Sequence, residues 1–393
     1  MRLLVITHNY PRFAGDPAGA FVRSIARAAR RAGAEVAVLA PHAPGLLPDT
    51  LDDGMRVVRV RYAPEHLERV GYGGDLHERA GRSLLVTALL PAFFFRFLQV
   101  ARRTVREFRP DVVHAHWWLP GGWIAAHLDR PFVVTCHGSD VRLLERGRAF
   151  RVVARPVFRR AGAVTTVSRF LAADLTRLLD LTPGQVQALP MPVDLELFAG
   201  GASQPRVEPP RILYAGNLLP SKGVDLLIEA FALLRARGVS CQLKILGEGP
   251  AEPALRADAA RHQLDDIVWS RFVPQDRMPA EYGASTVTVL PTRGKAEGLG
   301  LTLVEALAAG SAVVGTPAGG IPEVIRPEET GLLIPDGDAE ALAVALQRLL
   351  ADRSLRERLI GQGQRFVTER FSIDSAVRPF LALYDDVARR RSN

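Results

Sequence analysis

Glu297 and Glu305 stand eight positions apart at the two ends of the run Glu297-Gly-Leu-Gly-Leu-Thr-Leu-Val-Glu305. The run follows a strand-like stretch over residues 286–290 and leads into an apolar helical one over 306–310. A loop that turns tightly into a helix presents several free backbone N–H groups at one point. Those groups and the helix dipole favour an anion there. Carboxylates touching that anion would repel it, but on either side of it they can accept hydrogen bonds from hydroxyls. A ligand with hydroxyls, then phosphates, then more hydroxyls is a nucleotide-sugar.

A second cluster points to the same ligand. Strand-like residues 212–215 end in Gly216-Asn-Leu-Leu-Pro-Ser-Lys222-Gly223. Glycine at 216 lets the backbone approach a ligand. Lys222 comes just before a helical stretch, where an ammonium can hold a phosphate. Lysine is not the default cation here: Lys222, Lys244 and Lys295 are the only lysines, and arginine supplies nearly all other positive charge. Lys222 and Lys295 both flank the expected anion site. A compact, movable point charge suits a diphosphate that must depart.

These residues need a scaffold. The spacing predicts strands over 3–7, 35–40, 56–60, 111–116, 132–136 and 163–167, with an amphipathic helix over 21–32. Short β runs separated by helical periods make a parallel, doubly wound α/β sheet. Residues 191–211 are rich in Pro, Gly and Ser and read as an interdomain linker. The pattern then restarts, with strands over 212–215, 242–246, 267–269, 286–290 and 312–315. Helices are expected over 223–237, 252–262, 303–309, 339–350 and 353–370. A final helix over about 375–390 is long enough to cross back to the first domain. With 393 residues, two domains are expected: 1–195 together with about 376–393, and 196–375. Two Rossmann-like α/β domains face each other across a cleft in this reading, with ligands beyond the carboxyl ends of the strands.

Composition narrows the function classes. Residues 1–200 hold 27 arginines, no lysine and 18 acidic residues, while residues 201–393 are nearly balanced. The first half is therefore the basic half. Its arginines are spread over many helices and not interleaved with stacking aromatics, which argues against nucleic acid. Cys136 and Cys241 each sit in an apolar run and read as buried, reduced thiols of a cytoplasmic protein. The opening Met1-Arg-Leu-Leu-Val-Ile-Thr-His reads as a first buried strand, not a signal peptide. No apolar run of about 18 residues is expected, hence no membrane span. Residues 83–109 stand apart, with Pro91-Ala-Phe-Phe-Phe-Arg-Phe-Leu beside Arg102, Arg103, Arg106 and Arg109. Two readings stay open there: a core helix with an exposed basic side, or an interfacial helix on an anionic membrane.

The combination of the Lys222 loop and the Glu297–Glu305 run resembles the retaining glycosyltransferases of family four (glycosyl transferases group one), which have the GT-B fold. The resemblance covers essentially the whole chain. It continues through Ala318-Gly-Gly-Ile-Pro-Glu-Val-Ile325, Glu329-Thr-Gly-Leu-Leu333, Gly19-Ala20 and His137-Gly-Ser-Asp140. It implies that Glu305 holds the ribose hydroxyls. Glu297, with the backbone of Gly298, Leu299 and Gly300, would hold the donor sugar. Lys222 would bind the diphosphate, beside Gly216 and Asn217, and Leu301, Thr302 and Leu303 would add backbone contacts. His137 would meet the transferred sugar across the cleft, and Gly19 would let the first loop approach the donor phosphate and acceptor. The implied catalytic set is His137, Glu297 and Lys222.

The chain departs from that pattern in three places. Asn217 stands where an arginine is usual, which asks more of Lys222, Arg293 or Lys295. Ala20 replaces a second glycine. Met191-Pro192 replaces the usual Asn-Gly before Val193-Asp194.

Charge accumulating on a departing diphosphate is what such chemistry must stabilise most. A lysine and a helix N-terminus can do so without a metal or other cofactor. The only Asp-x-Asp, Asp336-Gly-Asp338, could hold a divalent ion, but Asp338 directly precedes a helix and reads as its N-cap. Two-carboxylate hydrolysis wants both groups at one glycosidic bond, whereas the resemblance implies Glu305 at the ribose and Glu297 at the sugar. His137 follows a strand and would orient the sugar, with the departing phosphate as base. His114 and His116 alternate on one strand, followed by Trp117 and Trp118, and face one side of the sheet; packing and acceptor binding are both open to them.

The sequence therefore implies a cytoplasmic, metal-independent transferase moving a sugar from a nucleotide-diphosphate sugar to an acceptor glycan or glycolipid of the cell envelope, with peripheral contact at the inner membrane face. A nucleotide-sugar 2-epimerase and a non-catalytic nucleotide-sugar-binding protein are the alternatives.

Overall fold

The computed structural model describes residues 1–72, 81 and 83–390, and it divides into two compact units. One comprises Met1–Pro192 and Ala376–Asn393, the other Val193–Ser375. Each is built on its own sheet.

The first sheet has eight strands in the order β3-β4-β2-β1-β5-β6-β7-β8. They are β1 (Arg2–Ile6), β2 (Glu35–Pro41), β3 (Asp49–Asp52), β4 (Met55–Val60), β5 (Val112–His116), β6 (Phe132–Cys136), β7 (Ala163–Thr166) and β8 (Val186–Ala188). β1 lies between β2 and β5, both parallel to it. Helices cover such a sheet on both faces, so its central strands read as continuous apolar runs. Leu4, Val5, Ile6, Val38, Leu39, Val113 and Val133 are accordingly inaccessible to solvent.

The sheet is not wholly parallel, which corrects the sequence expectation: β3 pairs antiparallel with β4. Asp53 and Gly54 join them with positive φ values of 50° and 73°, the twist that a two-residue hairpin needs.

The second sheet is six-stranded and parallel, in the order β11-β10-β9-β12-β13-β14. Its strands are β9 (Arg211–Ala215), β10 (Gln242–Leu246), β11 (Val268–Ser270), β12 (Val287–Leu290), β13 (Ala312–Gly315) and β14 (Leu332–Leu333). Strand order reverses direction at β1/β5 in the first sheet and at β9/β12 in the second. A crevice opens at the carboxyl ends of the strands at such a reversal.

Residues 191–211 are more than a linker. Leu195–Ala199 is a short helix capped by Asp194, whose carboxylate accepts from the Leu197 N–H at 3.2 Å. Phe198 is buried at 1% exposure and packs 6.0 Å from the ring of Tyr282. The final helix, Ile373–Arg389, returns to the first unit, where the Tyr384 hydroxyl meets His114 Nδ1 at 2.7 Å.

The helix Leu84–Phe108 overturns a second expectation. It is 25 residues long and apolar enough to cross a membrane by length and composition, and 22% of its apolar window is buried. A single charge, Arg96, interrupts the run from Leu84 to Ala101. Phe93, Phe97, Ala101 and Val105 face the first unit's core, with Phe93 5.0 Å from Tyr62. Leu84 and Phe95 remain 91% and 61% exposed.

Candidate functional site

The residues expected to bind the donor lie in the second unit, beyond the carboxyl ends of β9 and β12. Two loops meet there. The Arg293 N–H donates to the Ser221 carbonyl at 2.9 Å, tying the loop after β12 to the loop after β9. The Arg293 guanidinium grips Asp225 through two 2.8 Å hydrogen bonds. Arg293, one of the cations of which Asn217 asks more, is thus paired with a carboxylate. Asn217 itself is exposed, and its carbonyl accepts from the Tyr214 hydroxyl at 2.8 Å.

Lys222 and Glu297 are brought into direct contact. The Lys222 ammonium donates to Glu297 Oε2 at 2.8 Å and to the Ala296 carbonyl at 3.3 Å. Both side chains are mostly shielded, at 17% and 16% exposure. An ion pair with little water around it is strongly felt by any third charge, so an anion arriving at Lys222 competes with Glu297 for the same protons.

The loop carrying Glu297 rests on the Ala318-Gly-Gly320 turn. The Gly320 N–H donates to the Glu297 carbonyl at 3.1 Å. A Cβ on Gly319 would lie 1.9 Å from that carbonyl oxygen, at a φ of 54°. Only glycine lets the two backbones lie this close. Gly300 follows as the N-cap of the helix Leu301–Ala308. Leu299 and Leu303 are buried at 4% and 0% exposure, so their side chains anchor the turn and only main chain is left for a ligand. The Leu303 N–H, one of the backbone contacts the resemblance implies, donates to the Gly300 carbonyl at 2.9 Å. The Leu301 and Thr302 amides remain as the first-turn donors.

Glu305 lies one turn further along. Its carboxylate accepts from the Tyr282 hydroxyl at 2.9 Å and from Gln275 Nε2 at 3.4 Å. Burial pushes its pKa up to about 7, against the lowering effect of those two hydrogen bonds. Neither Tyr282 nor Gln275 is legible as a partner in the sequence, being 23 and 30 positions away with no shared period.

Asp338 caps the helix Ala339–Ala351, accepting from the Ala341 N–H at 2.8 Å, as its sequence position implies. Asp336 accepts from the Gly294 N–H at 2.8 Å. The pair therefore serves the backbone at two separate points. No group of three or more His, Cys, Asp or Glu is placed to hold a metal among the described residues.

Gly19 and His137 belong to the first unit, at the carboxyl ends of β1 and β6. Gly19 has φ 70°, and a Cβ there would meet the Asn9 carbonyl oxygen at 2.1 Å. Its first duty is thus to let the loop after β1 fold on itself before the helix Ala20–Arg31. His137 is oriented by groups outside the expected catalytic set. Asp140 Oδ1 accepts from the His137 and Gly138 amides at 3.0 and 3.1 Å, while Oδ2 accepts from the Trp118 amide at 3.1 Å. One buried carboxylate therefore clamps the loops after β5 and β6 together. The His137 ring lies 4.4 Å from Trp117 and 4.9 Å from Phe21. His114 and His116 are fully buried, so of their two open roles packing is the one the fold gives them.

Residues 201–366 match the family Glycosyl transferases group 1, and residues 18–197 match Glycosyltransferase Family 4. The chain is 31% identical to a D-inositol 3-phosphate glycosyltransferase of Xylanimonas cellulosilytica, over 96% of this chain and 94% of that one. It is 27% identical to a glycogen synthase of Mycobacterium tuberculosis, over 94% and 91%. The fold is that of sucrose-phosphate synthase from Thermosynechococcus elongatus, with TM-score 0.81, 22% identity and 99% of each chain covered. Anabaena HepE, solved with UDP and glucose, superposes at TM-score 0.72 with 16% identity, over 98% and 99% of the chains.

The raised pKa of Glu305 gives a prediction with two opposite signs. With Glu305 at the ribose, as the family resemblance implies, hydroxyls would donate to its carboxylate and donor affinity should fall as pH drops below about 7, approaching tenfold per unit. Fold stability should respond the other way. A folded pKa above the ordinary glutamate value gives stability that is full below that value and is lost as pH rises through about 7. Glu305→Gln should flatten both profiles, measured by titration calorimetry and by urea unfolding between about pH 5 and about pH 9, either side of the raised value; an unchanged affinity profile in that variant would remove Glu305 from the ribose.

Proposed function

This chain belongs to glycosyltransferase family 4 and is a glycosyltransferase, and from that premise we propose how its own residues divide the work. The donor is a nucleotide-diphosphate sugar held in the second unit. The Lys222 ammonium and the first-turn amides of Leu301 and Thr302 take the diphosphate. Glu297 and the backbone of Gly298–Gly300 take the sugar, and Glu305 the ribose. The observation that carries this reading is the Lys222–Glu297 contact at 2.8 Å beside a glycine-capped helix start. It supports a cation and a carboxylate acting at adjacent points of the strand-end crevice. UDP and glucose in the structure of HepE, whose fold this chain shares, support a donor of that class.

Transfer proceeds with retention of anomeric configuration. As the sugar–phosphate bond breaks, charge builds on the leaving diphosphate. Lys222 and the helix amides stabilise that charge without reorganising, so the reaction as read needs no metal. His137 orients a hydroxyl of the transferred sugar, and the departing phosphate takes the acceptor proton.

The acceptor is a glycan or glycolipid precursor of the cell envelope, met at the cytoplasmic membrane face. The helix Leu84–Phe108 supports this. Its solvent side is apolar through Leu84, Leu85 and Phe95, then basic through Arg96, Arg102, Arg103 and Arg106. Apolar groups beside arginines suit the boundary between acyl chains and anionic headgroups.

Two measurements test these assignments. In a thermal-shift panel of UDP-, GDP- and ADP-sugars, one donor at about 100 times its Kd should stabilise the protein by about 2.7 kcal/mol. Lys222→Ala should abolish both that shift and turnover, whereas a full shift in the variant would free the diphosphate from Lys222. Vesicle sedimentation should show binding to anionic but not zwitterionic lipid, weakened by salt and lost in a variant with Arg102, Arg103 and Arg106 changed to Ser. Equal binding by that variant would contradict the membrane assignment.

A further inference from the structure

Three imidazoles form a layer at the carboxyl ends of β5 and β6. His114 and His116 lie with centroids 4.1 Å apart at a 38° tilt, and His116 stacks on His137 at 5.2 Å and 27°. His114 is satisfied on both nitrogens. Its Nδ1 meets the Tyr384 hydroxyl at 2.7 Å and its Nε2 meets Thr135 Oγ1 at 2.7 Å. His116 differs. Its Nδ1 shares a 3.0 Å hydrogen bond with His137 Nε2, while its Nε2 is buried with no hydrogen-bond partner. His137 Nδ1 makes no hydrogen bond among the described residues, and the residue as a whole is half-buried.

Burial holds all three rings well below the ordinary histidine pKa, His114 at about 3. Each imidazole is therefore neutral at physiological pH and carries one proton. For His116 there are two places to put it. On Nε2 it would be a buried donor with nothing to accept it, the rarer and more costly kind of orphan. On Nδ1 it points at His137, and the orphan is only a lone pair. A proton on His116 Nδ1 makes His137 Nε2 the acceptor, and the single proton of His137 must then sit on its Nδ1.

We propose that His116 is a positioning residue that fixes His137 in its Nδ1–H tautomer, so that His137 presents a hydrogen-bond donor to its ligand oxygen. Which nitrogen of a histidine carries the proton is set by what the other nitrogen meets. Here the other nitrogen meets a second histidine, itself constrained by a partnerless face. The ligand oxygen addressed by His137 is consequently one that accepts, such as a sugar hydroxyl lone pair or a phosphate oxygen. Trp117 packs against the His137 ring, with centroids 4.4 Å apart. The inference rests on the assignment of His137 to the transferred sugar, but its direct test does not.

Nitrogen-15 correlation spectra of the histidine side chains in the full chain read the tautomer. In the wild type, His137 should show a protonated Nδ1 and an unprotonated Nε2. His116→Phe keeps an aromatic ring and removes the donor; it should move His137 toward the Nε2–H form and lower kcat about tenfold, the loss of one hydrogen bond, with little change in donor KM. His116→Asn, whose amide can donate, should restore part of both. A wild-type His137 protonated on Nε2 would overturn the proposal outright, whether or not the variants fold. So would His116→Phe with an unchanged tautomer and unchanged kcat. Full activity in His137→Ala would instead defeat the assignment of His137 to the sugar, and leave the tautomer measurement to stand by itself.

Discussion

An ammonium and a carboxylate in contact at a strand-end crevice are the constraint on which the second unit turns. Lys222 ends a short turn after β9, and Glu297 sits in the loop after β12. Holding them 2.8 Å apart requires both loops to be fixed. Arg293 does this on one side, bridging to Asp225 and Ser221. Gly319 and Gly320 do it on the other, letting the Glu297 loop lie directly on the turn after β13. A shielded ion pair has a preformed geometry and a ready exchange. In the proposed reading, an incoming diphosphate would take the ammonium and the freed carboxylate would turn to the sugar hydroxyls. Arginine at 222 would present a planar, weakly hydrated fork in place of a point charge and could not make the same exchange.

The first unit uses a different physics. Around His137, orientation comes from burial and from hydrogen bonds to one buried carboxylate. Asp140 collects three backbone amides and so welds two strand-end loops together. The histidine layer behind it runs through Thr135 and Thr165 on one side and to Tyr384 of the last helix on the other. The C-terminal helix thus completes the packing beneath the site of the first unit. This explains why a helix at the far end of the chain matters to residues in its first third.

Much of this is legible in the sequence where one strong local signal dominates. Buried parallel strands read as apolar runs, and β6, β10 and β13 fall where the spacing puts them. The Lys222 loop and the Glu297–Glu305 run stand out by residue type and spacing alone. The Asp53-Gly54 hairpin carries a turn signal, but its first strand (Asp49–Asp52) is polar at all positions but Leu51 and has no apolar run to draw attention to it. The helix Leu84–Phe108 escapes the expectation because Arg96 and Pro91 interrupt the apolar run without breaking the helix. Partnerships are the least legible. Tyr282 with Glu305, Asp225 with Arg293 and His116 with His137 join residues brought together only by the fold, and no periodicity encodes them.

That Lys222 serves the diphosphate and Glu297 the sugar, and that they hold each other in between, is tested most directly by titration calorimetry on Glu297→Gln. The wild type and the variant are each titrated with the nucleotide-sugar and with its nucleoside diphosphate. The account predicts that the variant binds the nucleoside diphosphate at least as tightly as the wild type, because Lys222 is released, while the extra affinity contributed by the sugar disappears. A variant that loses affinity for the nucleoside diphosphate itself, yet keeps the increment from the sugar, would contradict it.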